Sequence, residues 1–274
     1  MKKTFRILGI IAIVAVIGSM LVIIISCGGG GSGPTIIGGG GNSDCITLGH
    51  DWNATQETVS EGVQAKTCKR VGCTEKTAFA FSYKIGNTGP GGGIIFFVAD
   101  GVGNLAGADG ALGTGTAKTT PGFTFFQNAS DSVGVTRYYL EVATTTIASQ
   151  QWASANHLIP GLSQNSTDDT DWAIGRGMKN TEIIIAHGVA TVPSYITQVA
   201  TSARTGTDWF LPSKNELNEL ASRRNHANIN ITSGSFWSSS QYDSSTAWSQ
   251  YFGSGGQDGG GKVGNDDVHA IRAF

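Results

Sequence analysis

The sequence predicts an α+β fold, and three observations carry the prediction. A helix with its start written into the residues begins at Ser213. A continuous apolar run, Ile94 to Val98, and an alternating run, Arg137 to Ala143, read as strands. Forty glycines with only 14% charged residues point to a loop-rich exported chain, all-β or α+β. The net charge of −2 argues against nucleic acid or an anionic surface as the main partner.

The helix is the best specified element. Ser213 can cap it, and Glu216, three residues on, can reach back to the cap amide. Pro212 stands just before, where a missing N–H costs nothing. Leu217, Leu220 and Ala221 then share one face. Earlier, Gly86 to Gly93 lead into the apolar strand. Nucleotide-binding glycines follow a strand and open a helix, so this run reads as a turn feeding a buried strand. Asp100 to Thr120 reads as a low-complexity loop, and Phe123 to Phe126 as a short strand. Helical spacing is expected over Glu182 to His187 and over Ser194 to Ala203, while Trp152 and Trp172 sit in polar surroundings.

From Gln241 to His269 the residues are mostly Ser, Gly, Asp, Tyr, Asn, Thr and Trp. That mix cannot fill a core but suits a contact surface, with aromatic anchors among adaptable hydrogen-bonding neighbours. The expected ligand-binding residues are Tyr242, Asp243, Ser244, Trp248, Tyr251, Asp258, Asp266, Asp267 and His269. Trp209 and Trp237, beside apolar neighbours, are expected in the core. Asn265-Asp266-Asp267 offers oxygen atoms to a hard cation, but reads first as a solvated acidic loop.

The amino end reads as export and tether. Lys2, Lys3 and Arg6 precede an apolar run from Ile7 to Ile25, the pattern of a signal peptide over residues 1–27. Ile24-Ile25-Ser26-Cys27 resembles the bacterial lipobox, which implies acylation of Cys27 and anchoring to the envelope, at the outer membrane or cell surface. Residues 28–43 form a Gly-rich flexible tether.

Residues 44–82 form a small module carrying Cys45, His50, Cys68 and Cys73. Three thiolates and one imidazole make a complete tetrahedral zinc set. One disulfide with a third thiol left over is the alternative. Either is a staple for a segment too short to hold itself by apolar burial. Cys45, Gly49-His50-Asp51-Trp52 and Thr67-Cys68-Lys69-Arg70 with Gly72-Cys73 resemble a short repeat of bacterial surface proteins.

Over residues 83–274 a family resemblance emerges. It rests on Gly86-Asn87-Thr88-Gly89-Pro90, Tyr139-Leu140-Glu141-Val142-Ala143, Lys179-Asn180-Thr181, Asp208-Trp209-Phe210-Leu211-Pro212-Ser213, Trp237-Ser238-Ser239-Ser240 and Arg272-Ala273-Phe274. The stretch resembles the C-terminal domain family of the Legionella collagen-like adhesin (DUF1566). That resemblance implies a C-type-lectin-like fold of the branch shared with formylglycine-generating enzymes. Those enzymes need a Cys pair, and Tyr83 to Phe274 contains no Cys. The last stretch also resembles the variable ends of proteins diversified by retroelements, at Tyr242, Ser249, Tyr251, Ser254, Asp258 and Asp266 among others. No Gly-x-Ser-x-Gly elbow or His-Glu-x-x-His is present, so no enzyme is expected. The expectation is a lipid-anchored surface protein binding a protein or glycan; the alternative is a structural component of the envelope.

Overall fold

A computed structural model describes residues 49–100, 121–153, 155–163, 170–187 and 208–274. Cys27, Cys45, the tether and the expected helix over Ser194 to Ala203 lie outside the described residues. Among the described residues no helix is long and apolar enough to cross a membrane.

Three strands open the described chain: β1 (Glu57–Ser60), β2 (Val63–Thr67) and β3 (Lys76–Phe81) pair antiparallel in that order. The main sheet follows. Its strands are β4 (Ile94–Val98), β7 (Tyr139–Gln151), β8 (Trp209–Phe210), β9 (Ser235–Gln241), β10 (Thr246–Tyr251), β11 (Gly256–Gly261) and β12 (Asn265–Ala273). They lie in the order β11-β10-β9-β12-β7-β4, with β8 paired to β12. A short hairpin of β5 (Phe123–Phe125) and β6 (Val135–Arg137) stands apart. The helices are α1 (Gly177–His187) and α2 (Lys214–Ser222), with a 3-10 turn at Thr170–Trp172.

This overturns the expected α+β, C-type-lectin-like fold. Twelve strands stand against two α-helices among the described residues. The error lies in the polar carboxyl stretch. Glycine is poor strand former in isolation, yet pairing context decides. Gly256–Gly261 pairs with β10 over the whole of its length, from Tyr251↔Gly256 to Thr246↔Gly261. Gly255, at φ +80°, supplies the left-handed turn residue that joins the two strands.

Three apolar clusters position everything else. Phe96, Leu140, Phe210, Leu217, Leu220, Phe252 and Ile271 fill the space between the sheet and α2. Trp152, Ile159, Ile184, Trp209, Trp237 and Val268 form the second, with α1. Trp152 in this cluster and Trp172, which meets Trp248, are both buried although their sequence neighbours are polar. In the third cluster Val63 packs with Ile95, Tyr138, Tyr139 and Phe274, so the small sheet shares its apolar face with the main one. The Tyr139 hydroxyl donates to the Gly62 carbonyl at 2.9 Å, and the Tyr139 and Phe274 rings stack at 5.0 Å.

Candidate functional site

The glycine run proves to be a cradle for one side chain. Glu141 is fully buried. Its Oε1 accepts from the Gly91 amide at 2.9 Å and from Arg272 Nη1 at 2.8 Å, and its Oε2 accepts from the Gly93 amide at 3.1 Å. A Cβ on Gly91 would lie 2.5 Å from Glu141 Oε1, and one on Gly93 2.5 Å from the Val142 carbonyl. Glycine is needed there because backbone must approach a carboxylate. The amides that a phosphate would need are already engaged.

The helix start is built as its residues predict. Glu216 N donates to Ser213 Oγ at 3.3 Å and Ser213 N donates to Glu216 Oε2 at 2.7 Å, a reciprocal capping box. Glu216 is fully buried and also accepts from the Gly175 amide at 2.8 Å. Burial pushes its pKa up to about 7, against the opposing pull of the amides. Ser240 Oγ accepts from Lys214 N at 3.0 Å and donates to the Asp171 carbonyl at 3.1 Å, so the serines of β9 lock α2 to the sheet.

Beside that lock, β9, β10 and β11 carry a groove of about 510 Å³. Ser235, Ser249, Tyr251, Gln257, Asp258 and Asp266 line it. Cross-strand pairing sets the floor: Ser249 stands opposite Asp258 and Tyr251 opposite Gly256. Tyr251 is 52% exposed and is the only Phe, Tyr or Trp exposed among the described residues. Asp266 is half-buried, and its pKa is raised by that burial, against hydrogen bonds from Ser249 and Ser235.

The other expected contact residues go elsewhere. Trp248 and Tyr242 meet edge to face at 5.0 Å, and Trp248 meets Trp172 at 5.3 Å. Lys214 Nζ stands 3.4 Å from the Trp248 ring centre and 4.0 Å from that of Trp172. Asp243 ties its own turn, Oδ1 accepting from Ser245 N and Thr246 N, both at 2.7 Å. Ser244 is exposed at that turn. Asp266 and Asp267 lie in β12, not in a solvated loop, and Asp267 accepts from Ser149 N at 2.7 Å. His269 is a correction. It is 3% exposed, stacks on Phe236 at 4.7 Å and stands 3.2 Å from Thr146 Oγ1. It is core because β12 is central to the sheet and His269 faces inward. Ser235, Ser249 and Gln257 were missed; for Ser249, the alternation in Thr246-Ala247-Trp248-Ser249-Gln250-Tyr251, which puts it on the face of Tyr251, was the available signal.

Two buried groups give opposite responses to acid. Burial holds His269 down to about 4, opposed by Asp267, so on acidification the unfolded chain takes that proton first. This stabilising contribution is complete above about 6.5 and is lost as pH falls towards 4. Glu216 titrates at about 7 when folded against 4.5 otherwise, so the folded chain takes its proton first and stability grows as pH falls from 7 to 4.5. Each swing is on the order of 3 kcal/mol, and in the shared window they offset each other. His269→Gln is expected to give a urea midpoint that climbs from pH 7 to pH 5, and Glu216→Gln one that drops. Parallel curves for the two variants would refute the assignment.

In the small module, Cys73 Sγ lies 3.6 Å from His50 Nδ1, and the ligand atoms of His50, Cys68 and Cys73 all lie within 4.8 Å of one another. Cys73 is disulfide-bonded.

No protein-family model matches the chain, and no curated protein does. Among solved structures the chain is similar to a fimbrial protein from Bacteroides ovatus ATCC 8483, with a TM-score of 0.40 and 14% identity, covering 73% of this chain and 47% of that one. The chain thus spans about half the length of that protein.

Proposed function

We propose that this is an exported surface protein, anchored through acylated Cys27, that binds a protein or glycan ligand in the groove beside β11. The observation that carries the reading is Tyr251. An aromatic ring left 52% exposed among hydroxyls, an amide and two carboxylates has the make-up of a contact patch. The resemblance of residues 83–274 to an adhesin domain family agrees with the same reading, and three of the residues that carry it, Gly93, Glu141 and Arg272, meet in one buried knot.

A second reading, a structural component of the envelope, is favoured by one feature. Strand β11 ends the sheet, and an open edge can accept a strand from another chain. Binding separates the two. Fluorescently labelled protein is applied to whole cells and to a glycan array. Tyr251→Ala and Asp258→Ala are expected to reduce binding about tenfold, as roughly 1.4 kcal/mol of contact is lost, with the urea midpoint unchanged. Binding untouched by Tyr251→Ala would remove the groove from consideration. For the retroelement resemblance, the expected finding is a reverse-transcriptase gene and a near-copy of the last stretch in the neighbouring DNA.

A further inference from the structure

We propose that His50, Cys68 and Cys73 form a zinc site that closes the small three-stranded sheet, independently of what the groove binds. The ligands come from two separate segments. His50 precedes β1, Cys68 follows β2, and Cys73 ends the turn after it. Backbone ties hold the segments together: Lys69 N donates to the Asp51 carbonyl at 2.8 Å, and Cys73 N to the Arg70 carbonyl at 3.1 Å. Trp52 bridges to Cys68, and its ring stacks on His50 at 4.6 Å, which orients the imidazole.

The distances suit the metal. With Zn–S of about 2.3 Å and Zn–N of about 2.0–2.1 Å, the sulfur–nitrogen edge of a tetrahedron is about 3.6 Å. Cys73 Sγ and His50 Nδ1 stand 3.6 Å apart. No pair of ligand atoms is further apart than 4.8 Å, at most about one ångström beyond the ideal sulfur–sulfur edge of about 3.8 Å, a shift that side-chain rotation can make. A disulfide needs two sulfurs; it has no use for an imidazole and a third sulfur converging on it. Soft thiolates with imidazole select zinc over calcium or magnesium.

The disulfide form and the zinc form exclude each other at Cys73. A dithiol reductant is oxidised to its own disulfide as the Cys73 disulfide is reduced to two thiols. Zinc binding then releases the thiol protons. At the end of the sheet where the ligands converge, apolar burial is sparse: Val63 and Ala65 of β2 are buried, but β1 has no buried residue and β3 only alternate half-buried ones.

The test uses the full chain in detergent, purified without chelators and treated with a dithiol. Mass spectrometry is expected to find about one zinc per chain, falling to background in His50→Ala and in Cys68→Ser. Cobalt(II) titrated into the reduced wild type is expected to give the intense visible bands of a tetrahedral thiolate site, a readout that needs no variant to fold. Background zinc in the reduced wild type, equal zinc in the two variants, or an octahedral cobalt spectrum would each overturn the proposal and leave the disulfide as the staple.

Discussion

Replacing Glu141 with alanine is expected to cost about 3–5 kcal/mol of folding stability, the usual result of breaking a buried ion pair by removing one partner. The change strands the Arg272 guanidinium, only 18% exposed, and leaves the Gly91 and Gly93 amides without their acceptor. Asp208, 3.7 Å from Arg272 Nε, is 60% exposed and screened by solvent, so it cannot stand in for the lost carboxylate. Urea denaturation followed by tryptophan fluorescence measures the loss. Glu141→Gln is expected to fall between, because one oxygen can still accept while the amide nitrogen meets a donor. A loss below about 1 kcal/mol for alanine would mean that the loop and the strand end hold their places without it.

Trp237→Ala is expected to cost a similar amount, about 3–5 kcal/mol. Trp237 is 1% exposed, and its Nε1 donates to the Gln150 carbonyl at 2.7 Å. The variant opens a cavity between the sheet and α1 and leaves that carbonyl unsatisfied. It also flanks the groove on the same face of the sheet: Trp237 pairs with Ser249, and a Cβ on Gly260 would lie 2.7 Å from the Trp237 ring, so the glycine strand rests on the indole. Trp237→Ala should therefore weaken both stability and binding, in contrast to Tyr251→Ala, which should weaken binding alone. Full binding by a destabilised Trp237→Ala protein would show that the groove does not depend on this support.

The parts legible in the sequence were those governed by local rules. Ser213 and Glu216 announce a helix start within four residues, and the capping box forms. Ile94 to Val98 is apolar throughout, as a strand buried on both faces must be. The burial of Trp209 and Trp237 followed from their apolar neighbours. What was illegible depends on partners far along the chain. Nothing near Glu141 marks it as the counter-ion of Arg272 or the acceptor for Gly91. Gly256–Gly261 becomes a strand only because β10 lies beside it. Once Thr246–Tyr251 is known to be a strand, its period of two places Trp248 and Tyr251, three residues apart, on opposite faces. They cannot serve one contact surface, which is why the expected binding residues divided between the groove and the Lys214 cluster. His269 failed for the same reason: composition marked it as polar, while position in the sheet made it core.

The placement of β12 has a kinetic consequence. It lies between β7 and β9 yet follows both in chain order, so the ribosome delivers the keystone after the strands on either side of it. Until then the two halves of the sheet have nothing to close upon, and the nascent chain carries open edges. Topologies ruled by such distant pairings fold in milliseconds to seconds rather than microseconds. A lag of that order leaves strand edges open to wrong pairing, so the growing chain depends on chaperones until the last strand arrives.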